Sequence, residues 1–122
     1  MADDAGNVVG ATEQLLLHKL NSDHADFLLT VLNDPDFMRY VGDRGVRTAA
    51  QAAAYIEARI APAYRDYGYG MYRVARKSDG AAVGICGLVR RAGLEAPDLG
   101  FAFLPAFRGR GFAAESAARV LQ

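Results

Sequence analysis

The chain has 122 residues, of which 52% are hydrophobic and 23% charged, a composition typical of one small folded domain. Fourteen Lys and Arg balance fourteen Asp and Glu, and this zero net charge argues against a protein that coats nucleic acid. One cysteine and two histidines exclude an internal disulfide framework and supply too few ligands for a convincing metal cluster.

The apolar runs are far shorter than the ~20 residues that span a bilayer, and the first residues are acidic where a signal peptide is basic. We therefore expect no membrane partner and no nucleic-acid partner. An unpaired thiol at Cys86 favours a cytoplasmic location, because thiols stay reduced there.

The first half of the chain predicts a leader, a strand and two helices. Residues 1–10 are small and polar and predict a flexible leader, which leaves 11–122 as the folded domain. A short apolar run at 13–20 favours a strand. Apolar residues spaced as on one helix face then predict a helix that ends at the Asn-Asp-Pro run ending at Pro35. Residues 37–47 are predicted to be a loop.

The second half predicts another helix, a meander of strands and a last helix. Thr48 and Gln51 form a capping-box pattern, and Pro62 is expected to kink or end the helix that follows. Strands are then predicted at 71–76, 82–90 and 99–104, with turns at 78–80 and 93–97. The helix that begins at Phe112 keeps its apolar spacing to Gln122.

The strongest motif is the run LGFAFLPAFRGRGFAA at 99–114, which predicts a strand, a short loop and a helix start. Amides at a helix N-terminus lack intrahelical acceptors, and Gly109 and Gly111 let an anion approach the backbone closely. Arg108 and Arg110 add positive charge, so the run predicts a phosphate or pyrophosphate site. The alternative is a tight turn whose arginines serve only solubility.

The same glycines fit the loose pattern G-x-G-x-x-A of dinucleotide-binding proteins. That interpretation is rejected, because the pattern belongs to a first βαβ unit and needs an acidic residue about 20 positions later. Here antiparallel strands are predicted before it, and the sequence printed ends before such a residue.

The sequence RGRGFA at 108–113 resembles the acetyl-coenzyme A motif of the GNAT acetyltransferases. Its wider context resembles the RimJ/RimL-like branch, through QLLLHKL at 14–20, LNDPDFMRY at 32–40, GICGL at 84–88 and DLGFAFLP at 98–105. The resemblance implies an α/β (α+β) fold with a mixed, mostly antiparallel sheet. It also implies further strands and a helix beyond the motif, so the chain is expected to be the N-terminal portion of one such domain.

The resemblance also implies the ligands. Acetyl-coenzyme A would be the acyl donor, and a primary amine on a peptide N-terminus or a small molecule would be the acceptor. The backbone of the motif strand would bind the pantetheine arm, through Ala102, Phe103 and Leu104. The loop and helix start would hold the pyrophosphate, through Arg108, Gly109, Arg110, Gly111, Phe112 and Ala113. The predicted loop at 37–47 would help wall the acceptor site, although its aromatic residues are as well suited to core packing.

Asp98 is the candidate general base, and Glu95 is the second choice; the alternative for Asp98 is a solvated turn carboxylate. Cys86 and Ser116 have no histidine nearby in sequence, and we interpret them as a buried small residue and a helix polar residue. Because part of the family's site is missing, a non-catalytic coenzyme A-binding or interaction module remains the alternative function. The apolar edge at 99–104 predicts homodimerisation.

Overall fold

The computed structural model describes residues 7–90 and 96–122, and its five strands form one antiparallel sheet. The strands are β1 (Val8–Ala11), β2 (Leu15–Lys19), β3 (Met71–Arg76), β4 (Ala82–Val89) and β5 (Asp98–Phe103). They lie in sequence order, so β1 and β5 are the outer strands of the sheet described. The α-helices are α1 (Ala25–Leu32), α2 (Pro35–Tyr40), α3 (Ala49–Tyr55), α4 (Ala61–Tyr67) and α5 (Phe112–Val120). This architecture confirms the predicted fold class.

The sheet separates two hydrophobic clusters. On one face, the helices before β3 pack over the sheet, and Leu28, Ile56 and Ile85 are buried between them. On the other face, Phe112 of α5 packs with Leu17 and other buried residues of the strands. Both faces of the sheet are therefore covered, and the edge of β5 lies between the two helical layers.

The predicted capping box is present at the start of α3. The amide of Gln51 donates to Thr48 Oγ1 over 3.1 Å, and the amide of Thr48 donates to Gln51 Oε1 over 3.2 Å. After α3 the chain continues through a π-helical turn at Ile56–Ile60, and Pro62 lies in the first turn of α4. The helical backbone is continuous from Ala49 to Tyr67, so proline, which removes one helical hydrogen bond, lies directly after the π-helical turn.

Two predictions about the first half are wrong. Residues 8–10 are not part of a flexible leader, because Val8–Ala11 pairs with β2 as a strand. Residues 37–40 are not a loop, because Pro35 begins helix α2 as well as following α1. The Asp34 carboxylate accepts a hydrogen bond from the Phe37 amide and caps the new helix. The predicted turn at 93–97 lies mostly outside the described residues, and α5 ends at Val120 before the predicted Gln122.

Gly84 sets the position of β5. A Cβ atom on Gly84 would lie 2.5 Å from the Ala102 carbonyl oxygen and 2.6 Å from the Phe103 ring, which is closer than real Cβ contacts come. Only glycine leaves room for that ring on β4. Phe103 therefore covers its cross-strand neighbour and holds the end of β5 against the sheet.

A carboxylate fixes the first turn of α5 to the β1–β2 connection. Glu115 Oε2 accepts a short hydrogen bond from the Thr12 hydroxyl and one of 3.0 Å from the Gln14 amide N–H. The Gln14 side chain donates to the other oxygen, Oε1, over 2.8 Å. These hydrogen bonds lower the pKa of the Glu115 carboxyl below its ordinary value, and the bond from the Thr12 hydroxyl has the largest effect.

We predict that Glu115→Gln lowers the free energy of unfolding by about 1 kcal/mol at pH 7, because charge-assisted hydrogen bonds become neutral ones. Since the folded-state pKa is lowered, the carboxylate's contribution is complete above its ordinary pKa of 4.5 and disappears as the pH falls through the folded value. Urea unfolding over a series of pH values should therefore show a difference between the two proteins at pH 7 that becomes smaller as the pH falls below 4.5. Glu57→Gln, at an exposed site, is the control; an equal effect there would contradict the assignment.

Candidate functional site

The loop between β5 and α5 takes a shape that glycine permits. Gly109 has φ +75° and Gly111 has φ +81°, both in the left-handed region that side chains rarely adopt. A Cβ atom at either position would meet nothing within 4 Å. Open space therefore adjoins the backbone at both glycines, as close approach of a ligand requires.

Helix α5 begins with unsatisfied amides that adjoin this loop. Gly111 is its N-cap and has no side chain to accept a hydrogen bond. The first turn closes where the Glu115 amide donates to the Gly111 carbonyl over 3.0 Å. The amides of residues 112–114 precede that bond and have no intrahelical acceptor. They lie at the positive end of the helix dipole, so this terminus can bind an anion.

A cavity of about 580 Å³ extends from this loop along β5 to α2. Eight of the nine residues predicted to bind the cofactor line it: Ala102, Phe103, Leu104, Arg108, Gly109, Gly111, Phe112 and Ala113. Arg110 is exposed and is not among the lining residues. Helix α2 contributes Phe37 and Tyr40 to the opposite wall. The fold thus brings the predicted residues together around one cleft.

The pairing of β5 with β4 decides which backbone groups face that cleft. The Leu104 amide donates to the Val83 carbonyl over 3.0 Å, and Ala102 stands opposite Ile85 in the same register. Because hydrogen-bonded pairs alternate along an antiparallel ladder, the backbone groups of Leu99, Phe101 and Phe103 point to the outer side. The Leu104 amide is therefore bonded to β4, whereas the amides of Phe101 and Phe103 face outwards. Binding of pantetheine through the backbone of Ala102, Phe103 and Leu104 stays a prediction.

Arg108 is bonded to groups of the protein on three sides. Its Nε donates to the Phe103 carbonyl over 2.8 Å, its Nη2 to Asp34 Oδ2 over 2.8 Å and its Nη1 to Asp36 Oδ2 over 2.5 Å. The Asp34 side chain is only 7% exposed, whereas that of Arg108 is 39% exposed. The hydrogen bond that Arg108 donates to Asp34, above all, raises the pKa of the Arg108 guanidinium.

The family model of the acetyltransferase (GNAT) domain matches residues 14–122. The chain belongs to the GNAT family. A GNAT-family acetyltransferase from Bordetella pertussis has a similar structure, with a TM-score of 0.70 and 26% identity over 88% of this chain and 66% of that one. No curated protein matches this chain.

Two more distant structures show the GNAT fold alone. The acetyltransferase from Bacillus anthracis has a TM-score of 0.68 at 21% identity, over 91% of this chain and 62% of that one. The acetyltransferase from Agrobacterium tumefaciens has a TM-score of 0.70 at 20% identity, over 88% of this chain and 61% of that one. The chain thus spans less than two thirds of the length of the solved structures it matches.

Within this GNAT chain, the predicted catalytic residue lies away from the cavity. Asp98 is exposed at the start of β5, opposite Val89, and does not line the cavity. Its role as a base stays a prediction, and Glu95 lies outside the described residues. Cys86 and Ser116 are both fully buried, which agrees with their interpretation as structural residues. Burial raises the pKa of the Cys86 thiol, so a reactive thiolate is disfavoured there.

Sequence reasoning missed the two carboxylates of this GNAT site. Asp34 and Asp36 line the cavity, but the sequence signal at Pro35 was only that of a helix end. The two aromatic residues of the predicted acceptor-site loop differ in exposure. Phe37 is buried, which agrees with core packing, whereas Tyr40 is 74% exposed and is available to a ligand.

The described part of the chain has neither a cluster of metal ligands nor a membrane-spanning helix. Residues 7–90 and 96–122 contain no group of three His, Cys, Asp or Glu side chains arranged to hold a metal ion. No helix within these ranges combines the length and the apolar character that crossing a membrane requires.

Proposed function

We propose that this chain acts as an N-acetyltransferase of the RimJ/RimL-like branch, transferring an acetyl group from acetyl-coenzyme A to a primary amine. One observation carries the proposal: the glycine loop and the open amides of α5 line a cleft that continues along the outer side of β5. A cytoplasmic location, favoured by the single buried thiol, is part of this proposal.

The cleft suits the two ends of coenzyme A. The amides of residues 109–113 would donate hydrogen bonds to the pyrophosphate, as helix N-termini do. The pantetheine arm would follow the outer side of β5 and pair with the outward-facing amide of Phe103, which leaves the amide of Phe101 for the thioester. That course runs from the loop towards the start of the strand, and so it brings the thioester end towards Asp98.

The chemistry follows from the thioester. A neutral amine attacks the acetyl carbonyl carbon, and the carbonyl oxygen becomes an oxyanion. The attacking nitrogen gives up a proton, to Asp98 in this proposal, and the carbon–sulfur bond then breaks to release the coenzyme A thiolate. The outward-facing amide of Phe101 is the donor we assign to that oxyanion. An α-amino group, with a pKa of ~7.7–8.0, is partly neutral near pH 7.5, whereas a lysine at ~10.4 is not. A peptide N-terminus or a small amine of similar pKa is thus the proposed acceptor.

A second candidate is a coenzyme A-binding module without catalysis. The two carboxylates that line the cavity, Asp34 and Asp36, are both engaged by Arg108 and so are poorly placed to accept a proton. This observation favours binding without chemistry unless Asp98 supplies the base.

Binding of coenzyme A tests the anion site. We predict that Gly111→Ala weakens binding at least about tenfold, because a Cβ atom fills the space next to the amides. Gly80→Ala is the matched control: Gly80 has φ +75°, is open at Cβ in the same way, and lies in the β3–β4 turn away from the cleft. Calorimetry should give wild-type affinity for the control. Equal affinities for both variants would contradict the assignment.

Thiol release from acetyl-coenzyme A tests Asp98 and separates the two functions. We predict that Asp98→Asn lowers kcat about 100-fold, the scale of general base catalysis, without changing affinity for coenzyme A. Asp26→Asn, at an exposed site on α1, should leave kcat unchanged. Unchanged kcat in Asp98→Asn would remove that residue from the mechanism. Tight coenzyme A binding with no thiol release for any amine would establish the non-catalytic module.

We also propose self-association through β5. The strand is an outer strand, and its Phe101 side chain is 52% exposed. Unpaired strand edges of this kind template pairing with another chain. Because the same backbone groups would bind pantetheine, a second copy and coenzyme A would compete.

Light scattering over a concentration series should therefore show association that saturating coenzyme A reduces and Phe101→Lys abolishes. Val8→Lys places the same charge on β1, the other outer strand, where Val8 is 37% exposed, and should have no effect. Association that survives Phe101→Lys would show that the interface lies elsewhere.

A further inference from the structure

We infer that Arg108 is a positioning residue, which fixes the anion-binding loop to α2 through Asp34 and Asp36 and does not bind phosphate with its own guanidinium. The inference deepens the proposed function and rests on it for its ligand. It differs from what the sequence predicts, because there Arg108 and Arg110 are equivalent cations on the loop.

The contacts of Arg108 use every nitrogen of its guanidinium. Nε donates to the carbonyl at the end of its own strand, Nη2 to Asp34 and Nη1 to Asp36. A planar guanidinium with partners on each side is held in one orientation. Its remaining N–H groups are therefore not free to turn towards a ligand without breaking one of these bonds.

Asp34 transmits this constraint to the opposite wall of the cleft. The oxygen that accepts from Arg108, Oδ2, also accepts from the Phe37 amide over 3.1 Å and so caps α2. Asp34 Oδ2 thus joins the first turn of α2 to Arg108, at the start of the anion-binding loop. The width of the cleft at the loop is set by this oxygen, and the backbone amides and Arg110 are left to contact phosphate.

Asp34→Asn distinguishes the two roles by the sign of its effect. If Arg108 bound phosphate directly, removing the Asp34 charge would release the guanidinium and reduce the negative charge beside the ligand, so coenzyme A would bind more tightly. If Arg108 is a positioning residue, its bond to residue 34 loses charge assistance, the loop is held less firmly, and coenzyme A binds about tenfold more weakly. Asparagine keeps a side-chain oxygen that can cap α2, so the helix is retained.

Two controls exclude a general loss of structure. Asp79→Asn removes the carboxylate of another arginine pair, Arg76–Asp79, neither member of which lines the cleft, and should leave binding unchanged. Pantetheine, which lacks the phosphates, should bind Asp34→Asn and the wild type alike. A double variant with Arg108→Gln should lose little more affinity than either single variant, because both remove one shared attachment.

A measurement without ligand keeps the inference separate from the proposed function. In Asp34→Asn the amides of residues 109–113 should exchange hydrogen faster than in the wild type, and in Asp79→Asn they should not. Failure of the wild type to bind coenzyme A would overturn the proposed function, and hydrogen exchange would still decide the attachment. Unchanged exchange, or coenzyme A affinity equal to or above wild type in Asp34→Asn, would overturn the inference.

Discussion

The ion pair between Arg108 and Asp34 determines how the two walls of the cleft face each other. Asp34 is almost fully buried, and a buried carboxylate is stable only when it is paired and hydrogen-bonded. Arg108 provides that charge from the loop, and the Phe37 amide provides a second donor from α2. Because one carboxylate needs both partners, the end of β5, the loop and α2 form a single unit. The other features of the site are built on it.

This arrangement solves an electrostatic problem within a chain of zero net charge. Two carboxylates beside an anion site would repel a phosphate, yet Asp34 and Asp36 both line the cavity. Arg108 neutralises part of their charge, and Asp36 is about half exposed to screening water. In the proposed site, attraction for phosphate would then come mainly from the amides of α5, whose partial charges are fixed by the helix and need no excess of basic residues.

The parts of the fold that the sequence predicts correctly are those encoded within a few residues. The capping box at Thr48, the turn around Gly80 and the loop-to-helix motif at Gly111 are local, because backbone geometry and nearby hydrogen bonds specify them. Strand β1 was missed because Val8–Ala11 is stabilised by pairing with β2 rather than by a pattern of its own. Helix α2 was missed because Pro35 both follows one helix and begins another, and only the Asp34 cap reveals the second.

The sequence could not predict that Arg108 binds Asp34 and Asp36, because these residues lie 74 and 72 residues earlier in the chain. No short sequence pattern links residues 33–36 to residues 108–111, and only the topology of the fold brings the two segments together. The outward-facing amide of Phe101 also depends on tertiary pairing, because the register of β5 against β4 determines it. A motif can thus predict which residues form a site, but the role of each residue depends on its contacts in the tertiary fold.

The relative size of two energies decides which role Arg108 takes. Leaving a buried carboxylate without its partner costs roughly 3–5 kcal/mol, whereas a charged hydrogen bond to phosphate contributes about 1.5–3 kcal/mol. Turning Arg108 towards a ligand would leave Asp34 unpaired, so the exchange is unfavourable even before Asp36 and the Phe103 carbonyl are counted. Arg110 is exposed, and it can approach a phosphate without that loss. The inferred difference in function between the two arginines thus follows from the buried partner of Arg108.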